Sequence, residues 1–166
     1  MKRGITRREL EITNISEIKK ILDRAMIVHI GMIDGDEPYV VPMNYGYTME
    51  NGKITLYLHG ATKGRKLDVL RENPKVFFSM ECDITAFEGN YACQYGTAYT
   101  SLMGKGNAEI IDDMEEKKKA LSILMKTQTG KDFNFEDRMA AVVSVIKIPA
   151  VDYTAKRRPV PEKGGQ

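Results

Sequence analysis

The segment MIVHIGMIDGDEPYVVPMNYGYTMENGKITLYLH, residues 26–59, decides the fold. It reads as strand runs joined by turn signals. MIVHIGM (26–32) leads into Asp34-Gly35-Asp36, a hairpin-type turn. PYVVPMNYGY (38–47) leads into Glu50-Asn51-Gly52-Lys53, where Asn-Gly is the strongest short hairpin signal. KITLYLH (53–59) alternates: Ile54, Leu56 and Leu58 lie on one face, and Thr55, Tyr57 and His59 on the other. Hairpins join antiparallel neighbours, so the segment predicts an antiparallel sheet.

Downstream, KVFFSME (75–81) reads as another strand, and the stretch from Cys82 to Gln94, lacking a period, as a loop. YGTAYTSLMGKGNAEII (95–111) predicts a long strand in which Gly104 and Gly106 mark a bulge or barrel corner, and AAVVSVIKIPAVDY (140–153) a final β-branched strand. Three helices are expected around the sheet. In the first, Ile15, Ile18, Ile21, Leu22 and Ala25 form one stripe capped by Asn14 or Ser16. The second carries Leu67, Val69 and Leu70 and stops at Asn73-Pro74. The third begins with Asp113 and Glu116 in capping-box spacing and presents Ala120, Leu121 and Leu124. The sum is a mainly β chain with peripheral helices, its six strands closing into a small antiparallel barrel, with an open α+β sheet the alternative. The expected organisation is an N-terminal arm over 1–13, one domain over 14–153 and a C-terminal tail over 154–166.

Composition narrows the function classes. A chain of 166 residues and 18.7 kDa fits one domain with a real core. Hydrophobic residues are 42% and charged residues 29%, and the 25 cations against 23 anions leave only +2. That balance argues against wholesale binding to nucleic acid or anionic membrane. The short basic patches at Arg7-Arg8 and at 156–158 lack interleaved aromatics and read as solvated ends. Cys82 and Cys93 form no zinc or C-x-x-C spacing, and with only two histidines, His29 and His59, no metal site is expected. No apolar run reaches the ~18 residues of a membrane span, and the start MKRGITRRELEI lacks a signal-peptide core. A cytoplasmic protein with reduced thiols is expected. The ten methionines lie mostly in apolar patterns, as core gap-fillers do.

The chemistry concentrates in HGATKGRKLDVL (59–70), where Lys63, Arg65 and Lys66 precede a helix together with Gly60 and Gly64. A helix start offers unpaired N–H groups and the positive end of the dipole to an anion. Glycine lets the backbone approach closely, arginine adds a planar fork and lysine a point charge. The pattern is a phosphate cradle without Walker A spacing; a solvated cationic surface is the plainer reading. In VVPMNYGY (40–47), Pro42 has no N–H for a ladder and therefore implies a free strand edge. A flat heterocycle along this edge would meet backbone groups near Met43, with Asn44 adding a side-chain hydrogen bond; a kinked edge strand is the alternative.

These two stretches, in this order, resemble the FMN-binding split-barrel superfamily of pyridoxamine 5′-phosphate oxidase over about residues 9–150. They resemble most closely its 5-nitroimidazole-resistance (Nim-type) branch, through Val-Pro-x-Asn-Tyr at 41–45 and His-x-Ala-x-x-Gly-Arg-Lys at 59–66. The resemblance implies a six-stranded antiparallel split barrel that forms a homodimer, with FMN sites at the subunit interface. It implies that Lys63, Gly64, Arg65 and Lys66 hold the FMN phosphate and that Val41, Pro42, Met43 and Asn44 line the ring. It further implies that His59 lies beside the flavin and that Ser101 contacts it, often from the other subunit. The chain departs from the branch after Glu81, where CDITAFEGNYACQYGTAYTSLMGKG lacks the Trp and the Arg-Ser found in many relatives before Gly-x-Gly.

The activity implied is that of an FMN-dependent oxidoreductase taking electrons from NAD(P)H and reducing a small organic acceptor such as a nitroimidazole. His59 is the candidate proton donor, imidazole being the side-chain type suited to proton transfer at neutral pH; the blander role is a hydrogen bond to cofactor or phosphate. The alternatives are a non-catalytic flavin- or haem-binding module of the same fold, with His29 the conceivable axial ligand, or a deazaflavin-dependent reductase.

Overall fold

The computed structural model describes residues 5–161. A short strand β1 (Glu11–Ile12) precedes helix α1 (Ile15–Arg24), followed by β2 (Ile27–Asp34), β3 (Glu37–Asn44), β4 (Gly46–Glu50) and β5 (Lys53–Gly60). Helix α2 (Arg65–Glu72) leads into β6 (Lys75–Phe87), β7 (Gly96–Asn107) and β8 (Glu109–Ile111). Helices α3 (Met114–Thr129) and α4 (Asp137–Ala141) and the long β9 (Ser144–Arg158) complete the order. Six strands, β2, β3, β5, β6, β7 and β9, have eight residues or more and correspond to the six expected.

All pairings are antiparallel, and the main path runs β3-β2-β6-β7-β9-β5-β4. Its two end strands, β3 and β4, are consecutive in the chain and meet at Tyr45, so the sheet curls back on itself. Closure comes from the chain and not from a ladder, which leaves the outer edge of β3 without a strand partner among the described residues. This is the split in the barrel, and it meets the free-edge requirement of Pro42. The segment 38–47 is therefore two strands and not one. Tyr45 is fully buried at the break, and its hydroxyl donates to the Leu22 carbonyl at 2.7 Å.

Strand β9 serves both halves of the barrel. Ser144–Pro149 pair with β5, and Ala150–Arg158 pair with β7. The change-over has a bulge, because Lys105 faces Asp152 while Gly106 faces Ala150, leaving Val151 extra. A Cβ on Gly106 would lie 2.5 Å from the Pro149 carbonyl oxygen, so the corner needs glycine. The alternating inward residues of β5, Ile54, Leu56 and Leu58, are at most 1% exposed. Burying each such side chain contributes about 1.5–3 kcal/mol. Helix α1 adds Ile18, Ile21 and Leu22 to the same core, while Ile15 at its first turn stays half exposed. Asn14 is the cap, accepting from Ser16 N at 2.9 Å and Glu17 N at 3.3 Å. Asp113 caps α3, accepting from Glu116 N at 2.8 Å.

Besides 38–47, other segments differ from expectation: 95–111 breaks at Ala108 into β7 and β8, and the last strand starts at Ser144 because 140–141 belong to α4. Residues 82–94 are not all loop: β6 continues to Phe87 past a bulge between Cys82 and Thr85, where Asp83 has φ 54°. The bulge resets the alternation, which is why no period is visible there. Within 1–13, Glu11 and Ile12 pair with Lys156 and Ala155, anchored because Ile12 packs on the core. The last strand runs beyond 153 to Arg158, because β7 offers pairing partners as far as Tyr99. The arm's Lys2 and Arg3 and the tail residues 162–166 lie outside the described residues. Cys82 is buried, Cys93 is exposed, and both thiols are free. Among the described residues no helix is long and apolar enough to cross a membrane, and no group of acidic, His or Cys side chains could hold a metal ion.

Candidate functional site

The cationic stretch lies where β5 ends and α2 begins. Gly64 stands at the helix start with φ 140°, a conformation that favours glycine. Its carbonyl accepts from Leu67 N at 3.0 Å and Asp68 N at 3.3 Å. The N–H groups of Arg65 and Lys66 thus precede the first intrahelical bond, and among the described residues no side chain caps them. An oxyanion is the natural complement of such a helix start.

The two cations beside it have different surroundings. Arg65 donates from Nε to Asp34 Oδ2 at 2.5 Å, and its guanidinium lies 4.4 Å from the centre of the Tyr39 ring. Lys66 folds back over Gly60, where an added Cβ would lie 3.1 Å from its Nζ and 3.8 Å from Ser144 Oγ. Burial alone pushes the Lys66 ammonium below the usual lysine range. Ser144 Oγ donates to the Ala61 carbonyl at 2.8 Å and fixes the loop between β5 and α2. Lys63 projects from that loop into solvent, and His59 is exposed on the outer face of β5, opposite Val145 in the ladder.

Strand β3 borders this region, since Asp34 ends β2 and Tyr39 lies within β3. Val41 and Met43 turn toward the core, while Pro42 and Asn44 are exposed on the other face. Asn44 is tethered from below. Its Nδ2 donates to the Met26 carbonyl at 3.4 Å and to Gln128 Oε1 at 3.3 Å. Gln128 in turn donates to the Tyr45 carbonyl at 2.7 Å and the Met26 carbonyl at 3.1 Å. Helix α3 thereby fixes the end of β3.

Residues 14–157 match the family model for pyridoxamine 5′-phosphate oxidase. The chain belongs to the pyridoxamine 5′-phosphate oxidase family. A solved structure from Bacteroides thetaiotaomicron, described as a candidate 5-nitroimidazole antibiotic resistance protein, is 34% identical. The match covers 89% of this chain and 86% of that one, with a TM-score of 0.76. The flavocytochrome Anf3 from Azotobacter vinelandii is 20% identical over 96% of this chain and 74% of that one, also with a TM-score of 0.76. A FAD- and haem-binding protein from Mycobacterium smegmatis is 17% identical over 93% and 76%, again with a TM-score of 0.76. These last two establish fold likeness alone. No curated protein sequence matches the chain.

Within this family member, Lys63, Gly64, Arg65 and Lys66 follow one another into the helix start, which touches β3 at Tyr39 through Arg65; Val41, Pro42, Met43 and Asn44 lie farther along the same strand, toward the end tied to α3. Ser101 is elsewhere in the protomer. It is buried on β7 between Glu81 and Lys156, lining a cavity of about 350 Å³ with Ser79 and Tyr99. His29 faces Pro42 across the β2–β3 ladder, with Nδ1 3.8 Å from a Glu81 carboxylate oxygen. Sequence reasoning missed Asp34, Tyr39, Ser144 and Gln128. Asp34 has the look of a turn residue next to Gly35, and nothing local links any of the four to the cradle.

Proposed function

We propose that the protein is an FMN-dependent oxidoreductase that takes electrons from NAD(P)H and reduces a small organic acceptor such as a nitroimidazole. One observation carries the reading: the cationic helix start, which no side chain caps among the described residues, touches through Arg65 and Tyr39 the strand β3, whose outer edge has no strand partner among them. A phosphate and a flat ring joined in one ligand need that pairing. The residues fit FMN. Backbone N–H groups of Arg65 and Lys66, with the three cationic side chains, would hold the phosphate. The backbone at Pro42 and Met43, between Val41 and Asn44, would face the ring. FMN, when bound, supplies two-electron redox chemistry between a nicotinamide and the acceptor.

The chain's own part is to bind, orient and shield. Gln128 keeps Asn44 in place, and Ser144 keeps the phosphate loop in place. His59, exposed beside the cradle, would hydrogen-bond the cofactor or hold the proton delivered to the reduced acceptor. In a homodimer, Ser101 of a second copy would complete the ring pocket. The 34% identical relative, described as a nitroimidazole-resistance candidate, supports the acceptor class.

The test is a visible spectrum of purified protein after FMN addition, then anaerobic NADH or NADPH, then a nitroimidazole. Bound oxidised-flavin bands that bleach with the nicotinamide and return with the acceptor are expected. A colourless protein that takes up no FMN refutes the reading. For His59→Ala, slower acceptor turnover with flavin retained assigns the proton role, whereas flavin loss assigns a binding role.

A further inference from the structure

We infer that Asp34 and Tyr39 are positioning residues that hold the Arg65 guanidinium as a preformed fork for the terminal phosphate of the cofactor, and so set the preference for a phosphorylated flavin over riboflavin. The inference rests on the phosphate reading of the α2 start proposed above and goes beyond it in naming what aims the arginine.

The side chain of Arg65 is 61% exposed and, left alone, would sample many rotamers. Two contacts from a different part of the chain remove that freedom. Asp34, 31 residues away, engages only Nε, at 2.5 Å. The Arg65 Cζ lies over the Tyr39 ring, 4.4 Å from its centre, which restricts the group further. Among the described residues neither terminal Nη has a hydrogen-bond partner. The planar pair that grips two oxygens of a phosphate therefore stays available while the rest of the group is pinned. Asp34 need not leave for phosphate to arrive, because it occupies the one nitrogen a fork-on contact through the two Nη atoms does not use.

A clamp fastening the β2–β3 hairpin to α2 would show the same two contacts, and the experiment separates the roles. Dissociation constants for FMN and riboflavin are measured by flavin fluorescence for the wild type, Asp34→Ala, Tyr39→Leu, Arg65→Ala and each of the first two combined with Arg65→Ala. All titrations are run at one physiological ionic strength. The expected result is a fall in the FMN-over-riboflavin preference of about tenfold for Asp34→Ala and about threefold for Tyr39→Leu. Riboflavin affinity stays at the wild-type value, and neither substitution has any effect once Arg65 is already alanine.

An unchanged preference, a preference that rises in Asp34→Ala, or effects additive with Arg65→Ala would each overturn the inference. Loss of both ligands together in both variants would mark a structural clamp and overturn it too. A wild type that binds FMN no better than riboflavin removes the phosphate reading itself, a separate outcome visible before any variant is made.

Discussion

Replacing Lys66 with methionine separates what this residue does for binding from what it costs the fold. Its ammonium is half-buried over Gly60, and desolvation, the sole cause acting on it, lowers its pKa from the usual 10.5. At neutral pH the lysine is charged in both folded and unfolded chains, so the folded state carries the full burial cost. As pH rises, the folded chain sheds the proton first, and the cost disappears between the lowered folded value and 10.5. Lys66→Met of the cofactor-free protein is therefore more stable than wild type at pH 7, and the gap closes toward pH 10. Substitutions that relieve a functional residue commonly gain about 0.5–2 kcal/mol, and partial exposure of this ammonium puts the gain near the lower end. At an m-value of about 2 kcal/mol/M, that is a urea midpoint roughly 0.3–0.5 M higher. The same variant loses a charge-assisted contact of about 1.5–3 kcal/mol, so FMN binding weakens about 10- to 150-fold. Urea titrations at pH 7 and pH 10, at one protein concentration, and a flavin fluorescence titration measure both. A variant less stable than wild type at pH 7, or one that keeps wild-type FMN affinity, would refute the assignment of Lys66 as an uncompensated phosphate-binding cation.

Gly46→Ala should destabilise the protein by about 3 kcal/mol, the upper part of the overpacking range. Its Cβ would lie 2.5 Å from Leu124 N and 2.8 Å from Ile123 C, helix backbone that no rotamer change can move; an unaltered thermal midpoint would contradict this. Cys93 should react with a thiol reagent in the native protein at neutral pH, while Cys82, buried and with its thiol pushed up to about 11, reacts only on unfolding. Two fast equivalents per chain would count against that burial. Glu17, held down to about 2 by Lys20 at 2.5 Å and Arg157 at 2.8 Å, stabilises the fold above its usual 4.5, and that contribution is lost as pH falls through about 2. Glu17→Gln should flatten the stability profile across this acid window, and an acid unfolding curve identical to wild type would disprove the link.

Much of this protein is legible without coordinates. The alternation of Ile54, Leu56 and Leu58, the turns at Asp34-Gly35 and Asn51-Gly52, the cap at Asp113 and the cationic start of α2 each reside within a few consecutive residues. Local backbone preference and side-chain period suffice for them. Pro42 even announces a free edge, because the missing N–H is a property of the residue itself. The tertiary structure alone decided the rest. It breaks 38–47 at Tyr45 to split the barrel, divides β9 between β5 and β7, carries β6 through a bulge at 82–85, and puts Ser101 away from the cradle. It also sets Asp34 and Tyr39 against Arg65 and, among the described residues, leaves Lys66 without a carboxylate. The physical reason is common to all of these. They depend on pairings between residues tens of positions apart, chosen by which strands share an edge and which side chains can be buried together, and no local period records that choice.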